Sequence, residues 1–346
     1  MAIEGDAQRF AADLLEDRAA GRLREAGASE ESLQAAVRAM LHASLVGVDS
    51  HGVRLTAHYC AMLAGGRINK TPKLVVDIRG AGSAMISGDD GLGHYAAYKA
   101  VEVGIDLARV AGVGAVGINH SSHLGAAGAY ALAGAEQGFV TFATTNTDSM
   151  VTLFDGAAKF HGTNPLAFAA PVPNAEPWLL DMATSSIPLN RVLLHRSLDK
   201  ALPPGVAADA QGVPTQDPHE ADLLLPLGGS DFGYKGAGLA GVATLFSALL
   251  TGATLDRDFI PMFGGGDIST PRNMGHFVLV VDPDKFVGRA AFGAMISTYL
   301  SQLRQSPVRA GAAPAMAPGD REWAERARRL ETGIPLDPDT ARFLGL

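Results

Sequence analysis

His51 and Arg54 stand three residues apart in Asp49-Ser-His-Gly-Val-Arg54. An imidazole titrates near neutral pH, and a guanidinium is a permanent cation that can grip a carboxylate through two N–H groups. Together they supply what is needed to protonate a carbonyl oxygen next to a carboxylate. A single histidine is more often structural than catalytic, so the argument rests on its company. Further on, the apolar runs Pro165–Ala170 and Trp178–Leu180 are edged by His161-Gly-Thr-Asn164 and Asp181-Met-Ala-Thr-Ser-Ser186, and a third polar cluster spans Asn119–Gly125. Any one of these residues could be capping a turn. Hydroxyls, an amide, imidazoles and a carboxylate gathered at the ends of short core strands are what a small polar ligand requires.

Other chemistries fit less well. Two G-x-G-x-x-G matches occur, Gly112–Gly117 and Gly236–Gly241, in a chain with 41 glycines. The dinucleotide fingerprint works only between a strand and the helix that follows it. The first match follows a helical pattern and enters a strand pattern, and a polar loop separates the second from the preceding apolar run. A conventional Rossmann domain is therefore excluded, although Lys235 and the amides near it could hold a phosphate. His120 and His123 lack an H-E-x-x-H or cysteine partner, which disfavours zinc. No G-x-S-x-G elbow is present, and Ser50 and His51 are adjacent in sequence, so a hydrolase triad is weak. No metal is expected.

The chain of 346 residues is long enough for two or three domains, and its 47% hydrophobic and 18% charged content describes a core-rich protein. A net charge of -8 with no run of Lys or Arg argues against nucleic acid or an anionic membrane surface as a partner. The single cysteine, Cys60, excludes an intrachain disulfide and reads as a small apolar helix residue. Met1–Asp6 shows no signal pattern and Ala237–Leu250 is too short and broken to cross a bilayer, so a cytoplasmic protein is expected.

The elements that would position these residues alternate between helical and strand periodicity. Asp6–Leu45 predicts two helices, with a third from near Arg54 to Gly65-Gly66, so Ser50 and His51 fall at a helix junction. Leu74–Ile78 and Ala84–Ser87 predict a strand pair and Tyr95–Val110 a helix. Then come strand Ala115–Ile118, helix Leu124–Gln137, strand Val140–Thr144 and the two strands described above. Leu189–Leu198 reads as helix, Pro203–Pro218 as a surface loop, Gly228–Gly236 as a flexible glycine-dense loop and Leu239–Leu250 as an apolar helix. Met274–Val281 predicts a strand, Phe286–Leu303 a helix, Arg309–Pro318 a linker, and the tail a charged helix and a turn.

Eight motifs in order carry a resemblance. Asp49–Arg54, Asn119–Gly125, Gly162–Phe168, Leu180–Ser185, Leu225–Gly229, Tyr234–Gly236, Gly275–Phe277 and Gly333–Leu336 resemble the malate/L-lactate dehydrogenase family of the second type, which includes sulfolactate, ureidoglycolate and diketogulonate oxidoreductases and piperideine/pyrroline-2-carboxylate reductases. The resemblance implies an α/β, non-Rossmann, sulfolactate-dehydrogenase-like fold. Residues 1–70 would be a helical N-terminal domain, 71–115 an α/β segment, 116–283 a mixed-sheet cofactor domain, and 284–346 C-terminal helices packed on the N-terminal part. It implies NAD or NADP as cofactor, a small carboxylate substrate and a homodimer. His51 would be the proton donor, supported by Ser50, with His123 at the nicotinamide end. His120, Ser121, Ser122, Leu124, Asn146, Asp181, Met182, Ala183, Lys235, Gly236, Gly275 and His276 would hold the cofactor, and Thr163, Thr184 and Ser185 would lie near the substrate.

Two departures bear on the substrate. Many members carry the carboxylate-binding arginine four residues after the histidine, where this chain has Leu55, so Arg54 or another cation must serve. The imine reductases carry an aspartate where this chain has Arg191, and a cation there suits an anionic keto acid better than a protonated imine. The expected reaction is hydride transfer between a nicotinamide and a small 2-hydroxy or 2-keto acid. Reduction of a cyclic or N-alkyl imino acid is the alternative, and nucleotide binding without turnover or a zinc hydrolase is remoter.

Overall fold

The computed structural model describes residues 8–262 and 265–346, so the expected helix start near Asp6 lies outside the described residues. Apolar positions at helical spacing produce the N-terminal helices α1 (Ala12–Glu25) and α2 (Glu30–Leu45). The Ser29 side chain accepts the Ser32 amide at the start of α2, Glu30 and Glu31 sit at the positive end of its dipole, and Leu33, Ala36, Val37 and Met40 form its buried stripe. Two 3-10 turns, Asp49–His51 and Val53–Leu55, lead into α3 (Thr56–Gly65). Gly52 lets this connection lie on α2, because a Cβ there would sit 2.1 Å from Ser44 Oγ. That hydroxyl accepts the Val53 amide at 3.0 Å and ties the turn down.

Seven strands form the central sheet: β1 (Val75–Gly80), β2 (Ser83–Ser87), β3 (Val113–Ser121), β4 (Val140–Thr145), β5 (Leu166–Ala170), β6 (Trp178–Met182) and β7 (Met274–Val281). Their spatial order is β1-β2-β3-β7-β4-β5-β6. Only β2 and β3 run parallel, joined through α4 (Gly93–Ala111), and every other neighbouring pair is antiparallel. Helix α4 therefore precedes β3, and the Gly112–Gly117 match has the helix-then-strand order that excludes the dinucleotide fingerprint. Helix α4 and α5 (Gly128–Glu136) cover one face of the sheet, where Ala97, Val101 and Ile105 pack with Val116, Ile118, Val278 and Val280. The segments Pro214–Thr215, Ala207–Ala208, Leu223–Leu224, Val151–Thr152 and Lys159–His161 make a smaller five-stranded sheet.

Three expectations shift. Helix α5 is shorter than expected, since residues 122–127 stay outside regular structure. The glycine-dense stretch after Leu227 is no loop: α7 (Gly229–Thr244) starts there and continues into a π turn at Leu245–Leu249. Its glycines serve close packing, because a Cβ on Gly236 would meet the Leu227 carbonyl at 2.3 Å. The C-terminal part also divides. Helices α9 (Asp320–Thr332) and α10 (Pro338–Leu344) lie with the N-terminal helices, where Ile334, Leu336, Ala341 and Leu344 share a core with Leu15, Leu33 and Tyr59, and Arg9–Phe10 pairs with Ile334–Pro335. Between α6 (Leu189–Ser197) and these, α8 (Arg289–Arg304) joins no part of that core and instead reaches Asp320 through Arg304. Among the described residues no helix is long and apolar enough to cross a membrane.

Candidate active site

His51 is held from behind by a buried charge pair. Asp49 is bound through both carboxylate oxygens by Arg329 of α9, a fully buried guanidinium that also donates to the Ser44 carbonyl and to Glu325. Burial alone would pull the Arg329 pKa down, but the carboxylates of Asp49 and Glu325 hold it above its ordinary value. Next along the turn, Ser50 Oγ lies 2.8 Å from His51 Nδ1, leaving Nε2 as the nitrogen available to a ligand.

The first and second histidine motifs meet. The rings of His51 and His123 stack with centroids 5.7 Å apart and 28° between planes. Tyr59, on α3, places its hydroxyl 2.8 Å from His123 Nδ1, and the Gly125 amide points at the same nitrogen from 3.4 Å. A backbone N–H can only donate, so Nδ1 acts as acceptor and the His123 proton sits on Nε2. Behind them His94 stands edge-on to Tyr59, centroids 4.9 Å apart, and neither of its ring nitrogens has a hydrogen-bond partner among the described residues. The φ of +75° at Gly125 turns the chain between His94 and the His51 carbonyl.

Burial sets the charge state of this group. It pulls His51 down to about 4, assisted by the charge of Arg54. His123 is held well below the ordinary histidine value by burial first, then by His51, His94, His58 and Arg272. Burial raises the Tyr59 hydroxyl, which stays a neutral phenol. The resting site thus holds two neutral imidazoles, although the resemblance implied His51 as a proton donor; the sequence does not reveal how dry the site is. Arg54, expected to clamp a carboxylate, is exposed, and its charge acts on His51 and Asp337.

A second polar cluster lies where β4 and β5 meet α7, and its hub is Asp256, a residue sequence reasoning missed. Its carboxylate, 4% exposed, accepts from Asn164 at 2.7 Å, Asn146 at 3.0 Å and the Gly162 amide at 3.1 Å, with Thr244 at 3.2 Å and His161 at 3.3 Å. Burial pushes this carboxyl up, but the donors His161, Asn164, Asn146 and Gly162 outweigh it and hold it below its ordinary value. The Asn146 side chain is thereby committed to the protein. The same holds for Thr184, bonded to the Thr163 carbonyl at 3.0 Å, for Ser185, bonded to the Ile187 carbonyl at 2.9 Å, and for His276, held by Thr145, Ser121 and the Ser122 carbonyl. Thr163 is fixed through its amide to Thr147 Oγ1 at 3.0 Å, and the Gly275 amide faces Asn146.

The remaining expected residues spread around the sheet edge. His120 is exposed at φ +44°, and Ser122 bridges the Gly93 amide and the Gly91 carbonyl while Leu124 is buried. Asp181 accepts the Gly128 amide at 2.8 Å at the start of α5, and Met182 and Ala183 follow half-buried. Lys235 is exposed on α7, with Nζ over the rings of Phe232 and Tyr234, and has no carboxylate partner among the described residues. Arg191 is exposed in the first turn of α6. Among the described residues no three His, Cys, Asp or Glu side chains gather as metal ligands.

The sequence model of the family described as malate/L-lactate dehydrogenase matches residues 10–344. The chain belongs to this family. It is 32% identical over 320 residues to a malate dehydrogenase of Pyrococcus horikoshii, spanning 91% of this chain and 87% of that one. The solved structure of that organism's malate dehydrogenase superposes with a TM-score of 0.87 at 28% identity, over 100% of this chain and 99% of the other. Sulfolactate dehydrogenase from Methanocaldococcus jannaschii gives a TM-score of 0.89 at 29% identity, covering 97% and 95%. The delta1-piperideine-2-carboxylate reductase of Pseudomonas syringae gives 0.86 at 30% identity, covering 97% and 98%. The sulfolactate-dehydrogenase-like fold expected from the motifs is therefore the observed one, and the protein is an oxidoreductase of the malate/L-lactate dehydrogenase family.

Proposed function

We propose that this dehydrogenase interconverts a small 2-hydroxy acid and the matching 2-keto acid, with His51 moving the hydroxyl proton. The observation that carries this reading is the stacked His51–His123 pair, joined to Ser50 and Tyr59 and buried enough to be neutral. A bound nicotinamide would accept or supply the hydride. In the oxidation direction, the Ser50 hydroxyl accepts a hydrogen bond from His51 Nδ1–H, and the neutral Nε2 takes the substrate hydroxyl proton. His123 offers its Nε2–H to the same oxygen and steadies it as an alkoxide while Tyr59 fixes the ring. In the reduction direction a bound carboxylate raises the His51 pKa, so that the imidazole carries the proton it gives back.

An anionic substrate is favoured over a protonated imine because the arginine charges acting on His51, from Arg54, and on His123, from Arg272, are positive. Lys235 is assigned to a cofactor phosphate, and Asp181–Ala183 and His120–Leu124 to the two walls of the cofactor cleft. A homodimer fits the exposed apolar side of α7 and its extension, where Phe232, Leu239, Val242, Leu245 and Leu249 lie uncovered and a second copy of the chain would bury them. A reducing, cytoplasmic setting fits the lone Cys60. The test is a panel of 2-keto acids and cyclic imines with NADH and with NADPH, following absorbance of the reduced nicotinamide. Turnover of keto acids is expected, and turnover of cyclic imines alone would overturn the reading.

A further inference from the structure

The turn that carries Ser50 and His51 is fastened on both sides of the histidine. Two residues before it, Asp49 is buried and both of its carboxylate oxygens are bound by Arg329, with Nη2 3.0 Å from Oδ2. Two residues after it, the Val53 amide donates to Ser44 Oγ at 3.0 Å. Ser44 joins the two fastenings, because its carbonyl accepts from the same Arg329 Nη1 that binds Asp49. Between them the turn closes on its own backbone, His51 N–H to the Val48 carbonyl at 3.0 Å and Gly52 N–H to the Asp49 carbonyl at 3.2 Å. A single guanidinium from the far end of the chain thus grips the turn and the helix α2 on which it lies.

The anchor is itself immobilised. Arg329 is fully buried, and its Nε donates to Glu325 one helical turn earlier on α9. Arg328 holds the same carboxylate at 2.6 and 2.8 Å, and Gly47, at φ +83°, lets the end of α2 approach it: a Cβ there would lie 3.1 Å from Glu325 Cγ. At its other end α9 is tied to the approach to β6, where Trp323 Nε1 donates to the Pro177 carbonyl at 2.8 Å. Cohesion alone does not require charges here, since apolar side chains of similar volume commonly stabilise a buried site as well as an ion pair does. What the guanidinium fork adds is direction, because it meets a carboxylate in one plane through two parallel N–H bonds. Burial and Arg54 set the charge state of His51, so the Asp49–Arg329 pair bears on where the ring lies.

We infer that Arg329 is the positioning residue of His51: by gripping Asp49 and Ser44 together it fixes the Ser50–His51 turn, so that a side chain of the C-terminal helix α9 governs the proton-transfer step without touching the substrate. The inference rests on the reading of His51 as the group that moves the substrate proton. A displacement of about 1 Å at a reacting group is enough to slow a reaction about 10²-fold, which is the scale on which such an anchor acts.

Three variants separate positioning from cohesion. Arg329→Met alone leaves the Asp49 carboxylate buried without its partner and is expected to lower the melting temperature. Asp49→Leu combined with Arg329→Met removes both charges and is expected to melt near wild type, yet to turn over the best 2-keto acid about 10²-fold more slowly with NADH affinity unchanged. Arg329→Lys keeps the charge without the fork and is expected to fold and to lose about tenfold in kcat with KM little changed. A wild-type kcat in the folded double variant would overturn the inference, and if that variant does not fold, a wild-type kcat in Arg329→Lys would do so. Nitrogen–proton correlation NMR of histidine-labelled protein follows the ring independently of turnover, its signals assigned by their loss in His51→Gln. Wild type is expected to show one fixed His51 tautomer and the variants an exchange between two; unchanged His51 signals in folded variants would overturn the inference. Absence of keto-acid turnover in wild type, with the fixed tautomer still lost in the variants, would remove the proton-transfer reading of His51 and leave the anchor standing.

Discussion

The two polar clusters of this dehydrogenase have similar residue types and opposite bookkeeping. Around Asp256, five donors converge on one carboxylate, and its charge is stabilised more strongly than water would stabilise it. Around His51 and His123, imidazoles crowd together, and among the described residues no carboxylate is bonded to either ring, His94 has no hydrogen-bond partner at either nitrogen, and the nearby arginine charges are positive. The first arrangement is complete and holds the strand ends together. The second holds neutral proton acceptors and, among the described residues, no facing anion, and under the proposed reading a hydroxy acid brings both the carboxylate and the hydroxyl proton. Polar satisfaction therefore separates scaffold from site where residue type does not.

Removing the hub gives the largest expected change. Asp256→Ala leaves Asn146, Asn164 and His161 buried without their shared acceptor and is expected to cost about 3–5 kcal/mol of stability, read by urea unfolding. A loss below about 1 kcal/mol would make the Asp256 cluster no more structural than the histidine site.

Acid comes next. His94 and His276 are buried and neutral, each held down to about 3, chiefly by burial. The unfolded chain takes up their protons below its ordinary value near 6.5, so their contribution to stability is fully present above that pH and falls as pH drops toward 3. Each adds a slope of about 1.4 kcal/mol per pH unit across that window. Unfolding free energy measured from pH 7 to 4 is expected to decline steeply, and a flat profile would mean that these histidines are protonated in the folded protein.

The smallest effect sharpens the comparison on the cofactor side. Lys235→Ala is expected to weaken NADH about tenfold with little change in melting temperature, because the exposed ammonium has no carboxylate partner among the described residues to release. An unchanged NADH dissociation constant would remove Lys235 from the cofactor cleft.

How much of this was legible in the sequence depends on how local the signal is. The helices from Ala12 to Gly65 and the strands of the central sheet follow from periodicity and caps. The start of α7 was hidden because glycine density normally marks a loop, and here it marks close approach to Leu227. Ser50, His51 and His123 stood out because their polar motifs interrupt apolar elements. Tyr59 and Asp256 belong to none of the motifs that the sequence singles out. Each acquires its role from partners far along the chain, which spacing alone cannot reveal. Arg329 is the same case: a charged helix in the tail reads as surface, yet this side chain is fully buried against Asp49.

The measurement that bears most directly on the distinction between site and scaffold is His51→Ala assayed in three ways on one preparation: turnover with the best 2-keto acid, NADH affinity by fluorescence, and thermal melting. Turnover is expected to fall by about 10²–10⁴-fold while NADH affinity and melting temperature stay close to wild type, since a neutral imidazole that among the described residues is hydrogen-bonded only to its neighbour Ser50 adds little to the fold. Retained turnover, or a collapse of melting temperature and NADH binding together with activity, would contradict the assignment and make His51 part of the scaffold.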